Sequence, residues 1–422
     1  METVNVRRKI VSQIQHMLDH TIVADRKFLD DEQLMRSEQL AVLEEVFNAN
    51  VRDAEIREIS SHFAPILRGD HPVHLAAWGK TGTGKTLTMR YFLNLLAEMC
   101  RRKKVSLRHE HIDLSTPRPC FRALNDVACL LNASKQYKKG ISLEELMLRI
   151  EAALAGYRGY LILFVDEVDN VRRDRDTFLK FLVRRLPQQI PGKLVLVFAS
   201  NRLNWSDNLD PRIRSFLKLN ELIFKPYDAV DLQQILTIRV RKALRPGSVQ
   251  PGVIQKIAAL ASRDHGDARQ AVALLARSAH IAEKAGKKVS LAMVDQAADQ
   301  IEQDRYVMMI RSAPKQLQAA MAAVIQASEK TSGGLATGQA YDAYKAFCSQ
   351  AGLGHLSGRA FSDLVGELDM YSLARSRVIS KGRYGRTREI VLDLSPDIVN
   401  RIHDAILVNF DLRSPAVERD AR

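Results

Sequence analysis

Residues 79–86 read GKTGTGKT, so three glycines and two lysines lie within eight positions between two apolar segments. The preceding run, 73–78, is short and apolar, as in a buried strand. After the glycines, apolar residues from Phe92 to Met99 recur at the spacing of one helix face. A strand, a glycine-rich turn and a helix in this order predict an α/β domain that binds an anion at the turn.

The turn matches the pattern G-x-x-x-x-G-K-[ST] of phosphate-binding loops. Glycines let the backbone curl so that several N–H groups point at one anion. We expect Lys85 to reach the β- and γ-phosphates of ATP, or the β-phosphate of ADP, and the hydroxyl of Thr86 to bind Mg²⁺. A glycine turn that binds nothing is disfavoured, because a strand and a helix flank the turn as the motif requires. The predicted nucleotide contacts of the loop are Gly79, Lys80, Thr81, Gly82, Thr83, Gly84, Lys85, Thr86 and Leu87.

A chain of 422 residues is long enough for two or three domains. Its 63 Lys and Arg against 49 Asp and Glu give a formal charge of +14. This charge favours a polyanionic partner, nucleic acid first, although solubility alone would also account for it. The four cysteines lack metal-ligand spacing and are expected to be reduced and mostly buried. Without a signal-peptide pattern or a run of 18 apolar residues, we expect a cytoplasmic protein with no membrane partner.

The pattern along the chain predicts three parts. Residues 1–226 join a charged helical segment to an α/β core, residues 227–311 are helical, and residues 312–422 begin helical and end in a hairpin. The core is expected to hold five strands, at 73–78, 105–114, 160–165, 193–200 and 221–225.

Two of these apolar strands end in polar residues. YLILFVDEVDN brings Asp166 and Glu167 to the carboxyl end of a buried parallel strand, where open α/β sheets bind ligands. We expect Asp166 to hold Mg²⁺ and Glu167 to orient and polarise the attacking water, with Asp169 in support. A solvated acidic turn is the alternative, and it is disfavoured beside a phosphate loop. The strand 193–200 is followed by Asn201, which either helps to position that water or forms a turn.

The phosphate loop, the acidic strand end and the strand-terminal asparagine together resemble an AAA+ ATPase. HGDARQAVALLARSAHIAEKAG (265–286) resembles the sensor 2 helix of the archaeal Orc1/Cdc6 replication initiators. FKPYDAVDLQQILTIRV (224–240) resembles their entry into the helical lid. The resemblance implies that Arg269 senses the γ-phosphate and that Tyr227 and Arg239 are further nucleotide contacts.

The resemblance extends from about residue 25 to 410 and implies an AAA+ parallel-sheet core, an α-helical lid and a C-terminal winged helix. LDPRIRSFL (209–217) resembles the segment that carries the arginine finger of this family, with Arg212 and Arg214 both as candidates. STPRPCFRALNDVACLLN (115–132) lies where the family inserts a helical motif that approaches DNA. A helix that only packs beside the sheet is an equally good interpretation of this segment.

The last part of the chain has the pattern of a winged helix. Ser357 is a good N-cap for a helix that buries Phe361, Leu364, Val365 and Leu368 and exposes Arg359. Two strand-like runs follow, 376–380 and 387–394, joined by KGRYGR, whose paired glycines suit a hairpin tip. Residues 375–388 hold six basic residues and no acid. The predicted DNA contacts are Arg359, Lys381, Arg383, Tyr384 and Arg386.

His109 and His111 alternate on one predicted strand, but no third ligand is spaced to complete a metal site, and we expect none. The resemblance implies an ATP-dependent replication initiator that hydrolyses ATP slowly, binds origin duplex DNA and helps to load the replicative helicase, with paralogous initiators as further partners. Two alternatives stay open. One is a nucleotide-gated switch whose winged helix contacts proteins, and the other is an AAA+ helper in transposition or clamp loading.

Overall fold

The computed structural model describes residues 22–29, 44–47, 49, 51–133, 140–331, 334–380 and 386–412. The chain divides into two compact units, one through Val294 and one from Asp295. Among the described residues, no helix is both long and apolar enough to cross a membrane. The cysteines are free thiols; Cys100, Cys120 and Cys348 are buried and Cys129 is half-buried.

A parallel five-stranded sheet forms the centre of the first unit. Its strands are β1 (His74–Trp78), β2 (Leu107–Asp113), β3 (Tyr160–Asp166), β4 (Lys193–Ser200) and β5 (Leu219–Ile223), in the order β2-β3-β4-β1-β5. Every residue of β3 is buried, as expected for a parallel strand covered on both faces. Alternate residues of the sheet enter two separate hydrophobic cores, one on each face.

All five predicted strands are present, and their ends differ from the prediction by at most two residues. The largest shift is at β5, which begins at Leu219 instead of residue 221. This strand lies at the edge of the sheet, where Asn220 and Glu221 are exposed. Because Asn220 is polar, the apolar pattern placed the start of the strand after it.

Helices cover both faces of the sheet and then form the lid. The core helices are α1 (Asp53–Phe63), α2 (Lys85–Arg102), α3 (Cys120–Leu130), α4 (Leu143–Leu154), α5 (Arg175–Lys180), α6 (Leu186–Gln189) and α7 (Pro211–Leu217), with a π-helical turn, Phe181–Arg185, between α5 and α6. Short 3₁₀ turns lie at Arg26–Leu29, Ala64–Arg68, Val168–Asn170 and Ser206–Asn208. The lid follows as α8 (Ala229–Ala243), α9 (Val253–Arg263) and α10 (Ala268–Ala285). Asp228 begins α8 with a capping box, and Gly286 ends α10 in the left-handed conformation.

The second unit packs helices against a small antiparallel sheet. Its helices are α12 (Lys315–Ser328), α13 (Thr337–Gln350), α14 (Gly358–Met370) and α15 (Pro396–Asn409), and its strands are β6 (Leu335–Ala336), β7 (Ala374–Ser380) and β8 (Arg386–Leu392), in the order β6-β8-β7. Helix α11 (Leu291–Ser312) contains the division between the two units.

The predicted hairpin is confirmed, with ends shifted by two residues at most. The expectation that this part ends in the hairpin is wrong, because α15 follows it. Its residues Ile402 and Ile406 complete the core against α12.

Candidate nucleotide site and nucleic-acid interface

Lys85 opens helix α2 and lies inside the glycine-rich loop. Its ammonium donates to the carbonyl oxygens of Gly79 at 2.7 Å and Lys80 at 2.8 Å, and to Oδ1 of Asn201 at 2.9 Å. The residue is 6% exposed, and burial lowers the pKa of Lys85 to about 8 although the charge of Asp166 opposes the shift. All three of these hydrogen-bond acceptors are neutral oxygens. The loop therefore holds a positive charge that an anionic ligand would stabilise.

Thr86 and Asp166 meet at the carboxyl end of β3. The hydroxyl of Thr86 donates to Oδ2 of Asp166 at 2.6 Å, and Nε2 of His111 lies 3.5 Å from the same oxygen. Burial acts to raise the pKa of Asp166, but the contacts with His111 and Thr86 and the charge of Lys85 outweigh it and hold this pKa below its usual value. A hydroxyl and an ionised carboxylate are hard oxygen ligands, so this pair fits Mg²⁺.

Glu167 follows Asp166 in the left-handed conformation, with a φ of 52°. Asn170 donates to its Oε2 at 2.9 Å, and the Asn201 amide lies 3.4 Å from its Oε1. Burial and the charge of Asp166 raise the pKa of Glu167, so its carboxylate is more basic than usual. Asn201 therefore contacts both the loop lysine and this carboxylate, as its place at the end of β4 predicts.

Asp169 lies behind these residues. Its Oδ1 accepts a hydrogen bond from the hydroxyl of Ser200 at 2.6 Å, and its Oδ2 lies 3.4 Å from Nε of Arg202. These contacts join the end of β4 to the turn after β3, and they fit the supporting role expected of Asp169.

The first turn of α10 lies against the phosphate loop. Asp267 caps this helix by accepting the N–H of Arg269 at 2.7 Å, and the N–H of Ala268 donates to the carbonyl of Gly82 at 3.2 Å. The side chain of Arg269 is exposed, and its charge is one of those that lower the pKa of Lys85. The structure thus brings the predicted sensor arginine to the same loop as Lys85.

The remaining predicted nucleotide contacts lie at different places. Tyr227 is buried beside the loop, where its hydroxyl oxygen lies 2.2 Å from the position that a Cβ on Gly84 would take. Arg239 is buried within α8, and its Nη1 donates to the carbonyl of Phe28 at 3.0 Å. Lys80 and Thr81 are exposed at the tip of the loop, and Leu87 is half-buried.

Arg212 and Arg214, the candidate finger residues, are exposed on α7. Nη2 of Arg214 lies 3.0 Å from a carboxylate oxygen of Asp207. Neither arginine is among the residues gathered around Lys85.

Two residues of this site, Arg52 and His111, were not predicted from the sequence. Arg52 is buried beside Tyr227, with the guanidinium carbon 3.9 Å from the ring centroid. His111 lies beside Asp166 and stacks on Phe164 with ring centroids 4.8 Å apart. The only sequence signal for His111 was its position near the end of β2, and Arg52 carried none.

In the second unit, Ser357 caps α14 by accepting the N–H of Ala360 at 3.4 Å. Phe361, Val365 and Leu368 are buried as predicted, and Arg359 is exposed on the first turn. Strands β7 and β8 pair in register as far as Ser380 and Arg386. Of the predicted hairpin contacts, Lys381, Arg383 and Tyr384 lie outside the described residues, and Arg386 is described as strand backbone.

The expectation that the basic run lacks acidic partners is wrong for two of its members. Arg375 forms an ion pair with Asp393 at 2.8 Å, and Arg377 forms one with Glu389 at 2.5 Å. Both acids follow the run in the sequence, and the antiparallel register brings them back beside it.

Comparisons with known proteins agree with this architecture. Residues 68–204 match the AAA domain, residues 233–299 the Cdc6 AAA+ ATPase-type lid domain, and residues 308–402 the CDC6 C-terminal winged helix domain. An ORC1-type DNA replication protein of Pyrococcus abyssi is 34% identical over 354 residues, which cover 82% of this chain and 84% of that protein. ORC1-type DNA replication protein 1 of Aeropyrum pernix is 34% identical over 348 residues, covering 81% and 87%.

Solved structures show the same likeness. The Aeropyrum pernix Orc1 protein in complex with DNA superposes with a TM-score of 0.69 at 31% identity, covering 92% of this chain and 97% of that one. Cdc6p from Pyrobaculum aerophilum has a TM-score of 0.54 at 20% identity, covering 93% and 100%, and shares the fold. The resemblance found in the sequence is confirmed: this chain belongs to the Orc1/Cdc6 family of DNA replication proteins, with an AAA+ core, a Cdc6-type lid and a C-terminal winged helix.

Proposed function

We propose that this chain is an ATP-dependent replication initiator that binds origin duplex DNA through its winged helix and ATPase domain and helps to load the replicative helicase. Three parts share the work: the AAA+ core with its N-terminal segment (1–226), the lid (227–311) and the winged-helix part (312–422). We place it in the cytoplasm, associated with the nucleoid, and expect paralogous initiators among its partners.

The state of Lys85 is the observation that supports this proposal most. Its ammonium is buried among neutral oxygens, next to the Thr86–Asp166 pair. Burial is unfavourable for an ammonium whose hydrogen bonds go to neutral oxygens, and it lowers the pKa of Lys85 in spite of the nearby charge of Asp166. The negative charge of a triphosphate would offset this cost, so the site favours ATP or ADP as its ligand.

Each residue of the site has a task in ATP hydrolysis. Lys85 binds the phosphates, and Thr86 and Asp166 would hold Mg²⁺, which would neutralise developing charge on the transferred phosphoryl group. Glu167, with its raised pKa, accepts a proton from the attacking water, and Asn201 keeps that carboxylate oriented.

The second unit carries the proposed DNA contacts. The Aeropyrum Orc1 protein, whose fold this chain shares, has been solved in complex with DNA. Arg359 is exposed at the start of α14, where a recognition helix would present it to base edges. Lys381, Arg383, Tyr384 and Arg386 of the hairpin would contact the backbone or the minor groove.

Helix α3 is the proposed second DNA element, and its packing supports only part of that role. Cys120, Leu124 and Val127 are buried in the core of the first unit. A contact with DNA would therefore use its other face, where Arg122 is exposed.

Nucleotide binding and hydrolysis test the ATPase half of the proposal. Lys85→Ala should abolish ATP binding, because the phosphates lose their main cation. Glu167→Gln should keep ATP binding and lose hydrolysis, because an amide does not accept the proton. Hydrolysis at the parent rate in Glu167→Gln, measured as phosphate release, would refute the assigned role of Glu167.

DNA and helicase binding separate the proposal from its rivals. An initiator binds duplex DNA with a steep salt dependence, whereas a switch that uses its winged helix for protein contacts does not. Recruitment of a replicative helicase to origin DNA in a pull-down separates an initiator from a helper in transposition or clamp loading. Failure to bind duplex DNA at low salt would remove the initiator from consideration.

A further inference from the structure

Arg52 is a buried arginine in an unusual backbone conformation just before α1. Its φ of 68° and ψ of 22° lie in the left-handed region, which residues other than Gly, Asn and Asp seldom adopt. Its side chain is 5% exposed. A buried charge on a strained backbone persists only where surrounding contacts hold it in place, so the contacts of Arg52 indicate its role.

The guanidinium of Arg52 joins three segments that are distant in sequence. Nη2 donates to the carbonyl oxygens of Thr83 at 2.8 Å and of Lys225 at 2.5 Å. The guanidinium carbon lies 3.9 Å from the ring centroid of Tyr227, which is a cation–π contact. Nη1 donates to Glu55 at 2.7 Å, and this carboxylate balances the buried charge.

These contacts reach two functional segments, the phosphate loop and the connection from the core to the lid. Thr83 belongs to the phosphate loop, Lys225 lies in the connection after β5, and Tyr227 stands just before the first lid helix, α8. The side chain of Arg52 therefore contacts the phosphate loop and the connection between core and lid, as far as the entry to the lid. A planar guanidinium offers several donors and a flat face together, which a lysine ammonium does not.

The bond to Thr83 also fixes the direction of the next N–H group. The described residues contain no cis peptide bond, and in a trans peptide the C=O and the following N–H point in opposite directions. Because Arg52 holds the carbonyl of Thr83, the N–H of Gly84 faces away from Arg52. Loop N–H groups of this kind cradle the α- and β-phosphates in a phosphate loop. The hydroxyl of Tyr227, at the entry to the lid, lies next to Gly84.

We propose that Arg52 is a positioning residue that presets the phosphate loop for nucleotide and ties it to the entry of the lid. This inference rests on the proposed function, because it supposes that the loop binds ATP and ADP. Loss of the guanidinium frees the Thr83–Gly84 peptide, so affinity falls for both nucleotides. The α- and β-phosphates are common to the two, and the ratio of their affinities changes little.

The test compares Arg52→Lys and Arg52→Ala with the parent protein and with two reference variants, Arg57→Ala and Lys85→Ala. Arg57 lies on α1, about one and a half turns after Arg52, and forms an exposed ion pair with Asp53 at 2.5 Å, so its replacement removes a nearby arginine without touching the loop. Dissociation constants for fluorescent ATP and ADP analogues are measured together with urea unfolding. Each titration of Arg52→Ala is repeated with millimolar guanidinium chloride, far below denaturing concentrations.

We expect both Arg52 variants to bind ATP and ADP about tenfold more weakly, a loss of about 1.4 kcal/mol. Added guanidinium should restore part of the affinity of Arg52→Ala, and Arg57→Ala should bind like the parent. A purely structural role would lower the unfolding free energy and leave the dissociation constants unchanged, and that result in Arg52→Lys would overturn the inference. Should Arg52→Ala fail to fold, Arg52→Lys decides alone. A parent protein that binds neither nucleotide would instead refute the proposed function.

Discussion

Replacing Gly82 with alanine tests whether the contact between the phosphate loop and the lid stabilises the protein. The phosphate-loop pattern requires glycine at positions 79 and 84 but leaves position 82 open. Gly82 has a φ of +74°, and a Cβ there would lie 1.7 Å from Oδ1 of Asp267. The same oxygen caps α10 through the N–H of Arg269, and the N–H of Ala268 donates to the carbonyl of Gly82. Alanine at position 82 must therefore displace the Asp267 carboxylate that caps the first turn of α10.

The cost of Gly82→Ala has two parts. Alanine in the left-handed conformation costs about 1–2 kcal/mol. Displacing the Asp267 carboxylate removes an N-cap worth about 1 kcal/mol. The lid contact therefore accounts for about 1 kcal/mol of the loss in unfolding free energy.

Gly247 supplies a matched control. Its φ is +75°, and no atom lies within 4 Å of the position that a Cβ would take. Gly247→Ala thus carries the conformational cost without the steric one, and the difference between the two variants isolates the contact between loop and lid.

Urea unfolding followed by tryptophan fluorescence measures this difference. The chain has two tryptophans, Trp78 and Trp205, and both are buried in the first unit, so the signal reports unfolding of that unit. We expect Gly82→Ala to be less stable than Gly247→Ala by about 1 kcal/mol. Equal unfolding free energies, within about 0.5 kcal/mol, would refute the argument.

Four further variants test individual roles. Arg269→Ala should reduce the difference between ATP- and ADP-bound protease cleavage patterns while costing no more than about 0.5 kcal/mol of stability; unchanged patterns would count against a sensor role. Thr86→Val should gain less ATP affinity from Mg²⁺, relative to EDTA, than the parent does, because one of the two proposed ligands of the ion is gone; a parent-like gain from Mg²⁺ would exclude Thr86 as a ligand. Replacing Arg383 and Arg386 together should weaken binding to origin and random duplexes alike and lower the salt slope by about one per lost phosphate contact. Arg359→Ala should instead reduce preference for the origin sequence, and the same titrations on specific and scrambled duplexes would show whether it does.

The sequence predicted the sheet and the nucleotide loop because both depend on local patterns. An apolar run followed by a polar residue indicates a buried parallel strand and its carboxyl end, and this rule located Asp166 and Asn201. Parallel strands align their carboxyl ends at one edge, so residues far apart in sequence had to meet there. The contact of Asn201 with Lys85 is an instance.

Contacts that depend on register or on long chain separation were not predicted. Glu389 pairs with Arg377 only because of the antiparallel alignment of β7 and β8. The sequence of the basic run, 375–388, does not include this acid. The role of Arg52 was not predicted for the same reason. Its partner Lys225 lies 173 positions further along the chain, and a single arginine before a charged helix has no distinguishing pattern.

The N-terminal segment also contacts the lid. The N–H groups of Ile22 and Val23 both donate to a carboxylate oxygen of Glu283 on α10, each at 2.9 Å. The N–H of Ala24 donates to the carbonyl of Ala243, at the end of α8, at 2.7 Å. Further along the chain, Arg52 donates a hydrogen bond to the carbonyl of Thr83 in the phosphate loop. Ile22–Ala24 therefore contact the lid, and Arg52 contacts both the phosphate loop and Tyr227 at the entry of the lid. A movement of the lid relative to the phosphate loop has to preserve or break these contacts of Arg52.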